Sequence, residues 1–545
     1  MKQFKNIVVI LLISFVISLP LILPYFKSGY FPTHDGEWAV VRLSEMYREF
    51  KSFEIPARYS TYLNFQYGYP LFNFTYPLPY YLGLVFVFLK LGFITSIKIL
   101  FALSVVLSFL SMFFLAKNLW KNNLAGFICA TLYIYIPYHI VDLYVRGSLG
   151  ESLSFVLFPL ILLWIKKIYE KPNSIPDILI FGILYCLLML MHNIMAVLFG
   201  LVLLLVSFFA IFKKNISFLL NLIFSIVLSL CLAAFFWIPA FAEKNLILLS
   251  KVPIADRSQY FVSLSDLITP KWGYGTPTDI NGFGYQIGLP YILVFITVFF
   301  LVLFRFNSRD SRIAIYLILS TLAISILLFS FSSVIWSNVP LISEINYPWT
   351  LLAVITFLIS LLAGYLTTID KRFIAMSIFL AIFAFVLVIP HAKPQSIIVR
   401  EDSFYTTNQA TTTSSNELMP LWVKTMPRQQ ASEKVEILDG NEKIILSQTL
   451  ANKISFSTFL EKERTVQVNL IYYPGWNAYV NGISTKIDYD NPRGVIRLRL
   501  NKGSNDVSLR FEETPLRSLS NFISIISFIV TTILFWVYRK KIWNH

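Results

Sequence analysis

Apolar and polar positions fall in long blocks along this chain. Apolar runs recur at 6–26, 76–92, 94–116, 122–137, 151–167, 175–193, 194–212, 216–241, 289–305, 312–334, 349–369, 372–390 and 518–538. Most approach the ~20 residues that carry a helix across a hydrocarbon core of about 30 Å. The pattern predicts a polytopic α-helical membrane protein of about 12–14 transmembrane helices. Run 76–92 is entered through Pro70, Pro77 and Pro79 and reads as a re-entrant or outer-leaflet helix, tolerated where protein covers its backbone.

Beyond 390 the period changes from helical to alternating. Segments 435–438, 443–447, 454–459, 465–472, 478–480, 494–500 and 506–511 read as strands, with turns at Asp439-Gly440-Asn441 and Asn481-Gly482. Such spacing predicts a small antiparallel β-sandwich. The expected domains are a membrane domain at 1–390, a linker at 391–433 and an extracytoplasmic β-sandwich at 434–517. A last transmembrane helix with a basic tail follows at 518–545.

Composition agrees: 56% of the 545 residues are hydrophobic and 14% charged, against about 25% charged in soluble domains. The net charge of +15 does not point to nucleic acid. Lys166-Lys167, Lys213-Lys214, Lys371-Arg372 and Arg539-Lys540-Lys541 sit in short gaps between spans, as the positive-inside bias requires. That bias predicts a multi-pass protein of the cytoplasmic membrane, with a cytoplasmic C-terminus and 391–517 outside. Run 6–26, behind Lys2 and Lys5, reads as an uncleaved first span. The three cysteines lie within apolar runs and form no disulfide or metal pattern.

Against this background the loop Tyr30-Phe31-Pro32-Thr33-His34-Asp35-Gly36-Glu37-Trp38 stands out. A carboxylate at a membrane edge can take the proton of an attacking hydroxyl, or hold a divalent cation against a phosphate. Asp35 and Glu37 are the candidates for catalysis, and for a Mg or Mn site if one exists, with His34 beside them. An equally open reading is a solvated interfacial loop. Residues 35–51 have the amphipathic spacing of an interfacial helix. Further along, Asp142, Arg146 and Glu151 gather where the chain re-enters hydrocarbon, where a charge pairs or serves a ligand. The planar guanidinium of Arg146 suits a lipid phosphate, with Glu151 orienting it; a structural ion pair is the competing reading. His192 ends a span and reads first as a structural residue, second as a phosphate partner. No P-loop, GxGxxG, HExxH or CxxC motif is present.

The acidic loop, Tyr76-Pro77-Leu78-Pro79-Tyr80-Tyr81, Tyr144-Val145-Arg146-Gly147-Ser148-Leu149-Gly150-Glu151, Asn346-Tyr347-Pro348-Trp349, 416–423 and 472–482 together carry a resemblance. The chain resembles a bacterial membrane-protein family named for a relation to 6-pyruvoyl-tetrahydropterin synthase, close to YfhO-type proteins. The pterin part of the name does not carry over, because the five histidines are scattered. The resemblance implies a GT-C-type glycosyltransferase fold, taking sugar from a polyprenyl-phosphate donor with an acidic residue in the first outer loop, a place that Asp35 occupies. Thr350 stands where the family carries an arginine after Pro-Trp.

The expected function is transfer of a sugar from a polyprenyl-phosphate-linked donor to an envelope glycopolymer or lipid acceptor on the outer face. A transporter or flippase of lipid-linked saccharides is the first alternative, and it predicts charges near mid-bilayer; the span centres carry almost none. A non-catalytic envelope-binding membrane protein is the second.

Overall fold

The protein is described here from a computed structural model covering residues 2–305 and 307–538. The tail Arg539-Lys540-Lys541, on which the expected side of the C-terminus rested, lies outside the described residues. Every predicted apolar run is helical. Among the described residues, eight helices are long and apolar enough to cross a membrane: Ile7–Phe26, Phe93–Trp120, Leu149–Glu170, Asn193–Phe212, Arg309–Leu328, Pro348–Thr368, Lys371–His391 and Pro515–Tyr538. Two more runs are bent pairs, Asn123–Ile134 with Pro137–Arg146 at 47° and Ile216–Leu232 with Ala234–Leu246 at 75°. The first bend falls just before Pro137, which has no amide hydrogen to continue the helix ladder.

Three runs form shorter apolar helices, Leu78–Phe88, Ile175–Met191 and Leu289–Phe304. The 11 residues of Leu78–Phe88 rise about 16 Å, half of what the hydrocarbon core demands. This is the run that its prolines marked as non-crossing. Pro348–Thr368 lies entirely inside the bundle; Phe357 on it meets Tyr133, Phe158 and Phe199.

The alternating segment folds into β1 (Val435–Ile437), β2 (Ile444–Leu450), β3 (Lys453–Leu460), β4 (Arg464–Ile471), β5 (Trp476–Val480), β6 (Ile483–Thr485), β7 (Val495–Leu500) and β8 (Gly503–Phe511). They make a three-stranded sheet, β1-β4-β7, and a five-stranded sheet, β2-β3-β8-β5-β6, with every pairing antiparallel. Strand β6 is absent from the pattern reading: it is three residues long with no buried side chain, so nothing alternates. It exists because Asn481 and Gly482 take positive φ, +50° and +82°, as a tight hairpin requires.

The sandwich is bolted to the helix ends. The buried Arg517 guanidinium donates to Glu243 through Nε and Nη2 at 2.8 and 2.7 Å. Tyr473 and Asn73 donate to the same carboxylate at 2.8 and 2.9 Å. Segment 391–433 is not a free tether but lies across the loops. Ile398 bridges to Tyr30, and the Asp402 carboxylate accepts from the Phe93 and Ile94 amides at 2.7 and 3.0 Å. There it caps orphan donors at a helix start.

Candidate active site

Two loops far apart in sequence meet at the site. The His34 and Asp35 amides donate to the carbonyls of Val145 and Arg146 at 3.0 and 2.7 Å. Gly147 permits this approach: its φ is +63°, and a Cβ there would stand 2.1 Å from Thr33 Oγ1 and 2.9 Å from the Gly36 amide. Residues Asp142–Arg146 form a single π-helical turn before the helix Leu149–Glu170 begins, an irregularity that often accompanies functional sites. Gly150 closes the other side, where a Cβ would lie 2.4 Å from the Met191 carbonyl and 2.5 Å from the Tyr76 ring.

This turn brings Asp142, Arg146 and Glu151 together. Arg146 Nη1 donates to Asp142 Oδ1 at 3.3 Å and also to Glu151 Oε2. Both carboxylates are fully buried and each has a second donor, Ser152 for Asp142 and Tyr138 for Glu151. The guanidinium lies 4.8 Å above the Trp349 ring, a favourable stack for a planar cation. One nitrogen serves both acids. Among the described residues, Arg146 Nε and Nη2 have no acceptor.

The Asp35 carboxylate makes no hydrogen bond or ion pair among the described residues, although Asp35 begins the helix Gly36–Lys51. It acts electrostatically on Arg146, Asp142, Tyr76 and Tyr347, so it shares their neighbourhood. His192 is there too, its ring 4.7 Å from that of Tyr76 and its Nδ1 accepting from the Met195 amide at 3.3 Å.

Glu37 and His34 turn elsewhere. Glu37 Oε1 accepts from Arg400 at 3.0 Å and from the Tyr405 hydroxyl at 3.2 Å. Burial first, then this carboxylate, push that hydroxyl up to about 12. His34 is exposed, with Nε2 2.9 Å from the Tyr274 carbonyl. Asp35 and Glu37 therefore do not present a shared face, and no group of three or more His, Cys, Asp or Glu side chains gathers around a common point among the described residues. No step below is routed through a metal ion.

A family model described as 6-pyruvoyl-tetrahydropterin synthase related domain, a membrane protein, matches residues 72–398. The chain belongs to this family. The match takes in Asp142, Arg146, Glu151, His192 and Trp349, and leaves out the loop of Asp35 and the β-sandwich. A 119-residue segment is 27% identical to the uncharacterized protein YfhO of Bacillus subtilis strain 168, covering 22% of this chain and 12% of that protein.

Among solved structures, the Archaeoglobus fulgidus oligosaccharyltransferase in its apo form superposes with a TM-score of 0.45 at 14% identity, over 76% of this chain and 61% of that one. The same archaeal enzyme bound to an inhibitory peptide and a dolichol-phosphate gives 0.46 at 15%, over 77% and 61%. The arabinofuranosyltransferase AftD from Mycobacteria gives 0.42 at 12%, over 92% and 40%. Likenesses at this level do not say what this chain acts on.

Tyr76, Tyr138, Ser152, Trp349, Arg400 and Tyr405 complete the site, and none of them is among the candidate site residues that the sequence pattern marks. The signal for Tyr76 and Trp349 lay in the Tyr-Pro and Pro-Trp pairs at span entrances. Arg400 and Tyr405 gave none, because their role comes from the fold-back of 391–433.

Proposed function

We propose that the protein is a membrane glycosyltransferase that moves a sugar from a polyprenyl-phosphate-linked donor to an envelope glycopolymer or lipid acceptor. In this reading the reaction takes place at the outer face of the cytoplasmic membrane, and the β-sandwich is extracytoplasmic and positions the acceptor. The observation that carries the reading is the unpaired Asp35 carboxylate standing beside an Arg146 whose Nε and Nη2 are open. Asp35 takes the proton from an acceptor hydroxyl as its oxygen bonds to the anomeric carbon. The bond from that carbon to the phosphate oxygen breaks, its electron pair leaves with the phosphate, and Arg146 meets the charge through its free edge. Glu151 and Asp142 hold the guanidinium in place, Glu37 steadies the loop through Arg400, and His192 flanks the donor.

The test is transfer from radiolabelled polyprenyl-phosphate sugars in membranes carrying wild type or Asp35→Asn. Loss of a positioned general base costs roughly 10²- to 10⁴-fold in rate. Equal transfer by the two would remove Asp35 from the reaction and leave a scaffold with an external β-module. Failure of every donor with wild type would turn the reading towards a carrier of lipid-linked saccharides.

A further inference from the structure

A wall of tyrosines stands beside the joined loops of Asp35 and Arg146. Tyr260 and Tyr347 meet edge to face, with ring centres 4.9 Å apart at 88°. Tyr347 leans on Trp349 at 5.9 Å, and Trp349 stacks on Tyr285 at 5.9 Å and 25°. The same indole carries the Arg146 guanidinium. Asp35, Arg146 and Glu417 all act electrostatically on Tyr347, so the wall runs from the unpaired acid towards Glu417.

Main chain and one arginine hold the wall in place. Tyr347 precedes Pro348 and is extended, with φ −122° and ψ 95°, the conformation that a following proline imposes. Its carbonyl accepts from the Thr350 amide and hydroxyl at 3.1 and 2.6 Å. Arg257 ties the turn that ends in Tyr260 to the neighbouring loop, donating to the Ile345, Trp336 and Ser343 carbonyls at 2.9, 3.2 and 2.5 Å. Glu417 lies on the segment that leads to the β-sandwich. That segment is joined to 246–249: the Leu249 amide donates to the Glu417 carbonyl at 2.8 Å, and the Leu248 amide to the Met419 carbonyl at 2.9 Å.

The hydroxyls of Tyr260, Tyr285 and Tyr347 have no hydrogen-bond partner among the described residues. The buried side-chain oxygens that lack partners do not include them, so all three are open to solvent. In an edge-to-face pair, one ring has both faces uncovered by the other. A sugar supplies the counterpart of each feature: a face of C–H groups that lies on an aromatic ring, and hydroxyls that both donate and accept. A lipid alcohol offers no such face.

We propose that Tyr260, Tyr285 and Tyr347 form the subsite for the accepting sugar, so that the accepting hydroxyl belongs to a saccharide and not to a lipid alcohol. The sugar ring lies against Tyr347 and Tyr260 with its reacting hydroxyl towards Asp35, and the rest of the glycan follows Glu417 to the β-sandwich. Calling this ligand the acceptor rests on the transfer reaction above; the binding of a sugar at the wall does not.

The experiment is saturation-transfer difference NMR on the purified full chain. The probes are linear trisaccharides of mannose, galactose, glucose and N-acetylglucosamine, together with sorbitol, which has hydroxyls but no ring. At least one trisaccharide gives a signal and sorbitol gives none. Tyr347→Ala weakens that binding roughly three- to tenfold, the worth of one aromatic contact. Tyr260→Ala, on a partly exposed turn, weakens it in the same direction, so a poorly folded Tyr347→Ala does not end the test. Binding that both variants weaken, in a protein that transfers no sugar, keeps the subsite and removes the transfer reaction. Absence of binding by all four trisaccharides, binding that neither variant weakens, or an equal signal from sorbitol overturns the proposal.

Discussion

The Asp35 amide donates to the Arg146 carbonyl at 2.7 Å, and one residue earlier the His34 amide donates to the Val145 carbonyl at 3.0 Å. The relation between the unpaired acid and the arginine is therefore set by main chain and not by their side chains. Replacing either side chain changes the chemistry at the site while the two loops stay joined.

The joint itself depends on Gly147. Gly147→Ala imposes a positive φ on a residue with a Cβ, about 1–2 kcal/mol, and drives that Cβ into Thr33 and the Gly36 backbone. Gly482→Ala carries the same kind of φ, +82°, with nothing within 4 Å of the added carbon. Thermal denaturation should show Gly147→Ala as the more destabilised by a further 1–3 kcal/mol or so. Equal losses would mean that the two loops are not in close contact.

Glu151 is wholly buried and pairs with an Arg146 that is 14% exposed. In Glu151→Gln one carboxylate oxygen becomes an amide donor facing the guanidinium or the Tyr138 hydroxyl. Breaking a buried pair from one side costs roughly 3–5 kcal/mol. The melting temperature should fall accordingly, and by far less in Lys166→Gln, whose partner Glu170 is about half exposed and worth under about 1 kcal/mol.

Glu243→Ala strips the buried Arg517, and with it Tyr473 and Asn73, of a shared acceptor. An uncompensated buried arginine costs roughly 3–5 kcal/mol, and here the loss falls on the seat of the β-sandwich. Limited proteolysis should release 434–511 faster from the variant than from wild type. Unchanged cleavage would show that the sandwich is held by other contacts.

Lys434 reads out pH. Desolvation holds its ammonium down from an ordinary 10.5 to about 7. Between those values the unfolded chain binds a proton that the folded chain does not, so stability rises with pH across that window. Below about 7 both states are protonated and the penalty is constant. Chemical denaturation of wild type and Lys434→Met, compared from pH 7 upward, should show wild type gaining relative to the variant. A flat difference would mean that Lys434 is well solvated.

How far the sequence could be read follows the range of the forces involved. Asp142, Arg146 and Glu151 were visible as a group because they sit within ten residues, and one irregular turn folds them together. The partners Arg400 and Tyr405 were hidden, since each arrives from more than three hundred residues away and looks ordinary in its own segment. Glu37 shows the same limit: two residues from Asp35 in sequence, it is carried by its place on the helix to Arg400.

By itself, the sequence determined that this chain lives in lipid, where its helices run and that an alternating segment precedes the last of them. Those properties depend on hydrophobic period and turn chemistry, which act over a few residues. The tertiary structure alone decided which loops touch and that Arg146 is left with an open edge. These are balances of burial against pairing, and they arise only when distant segments pack.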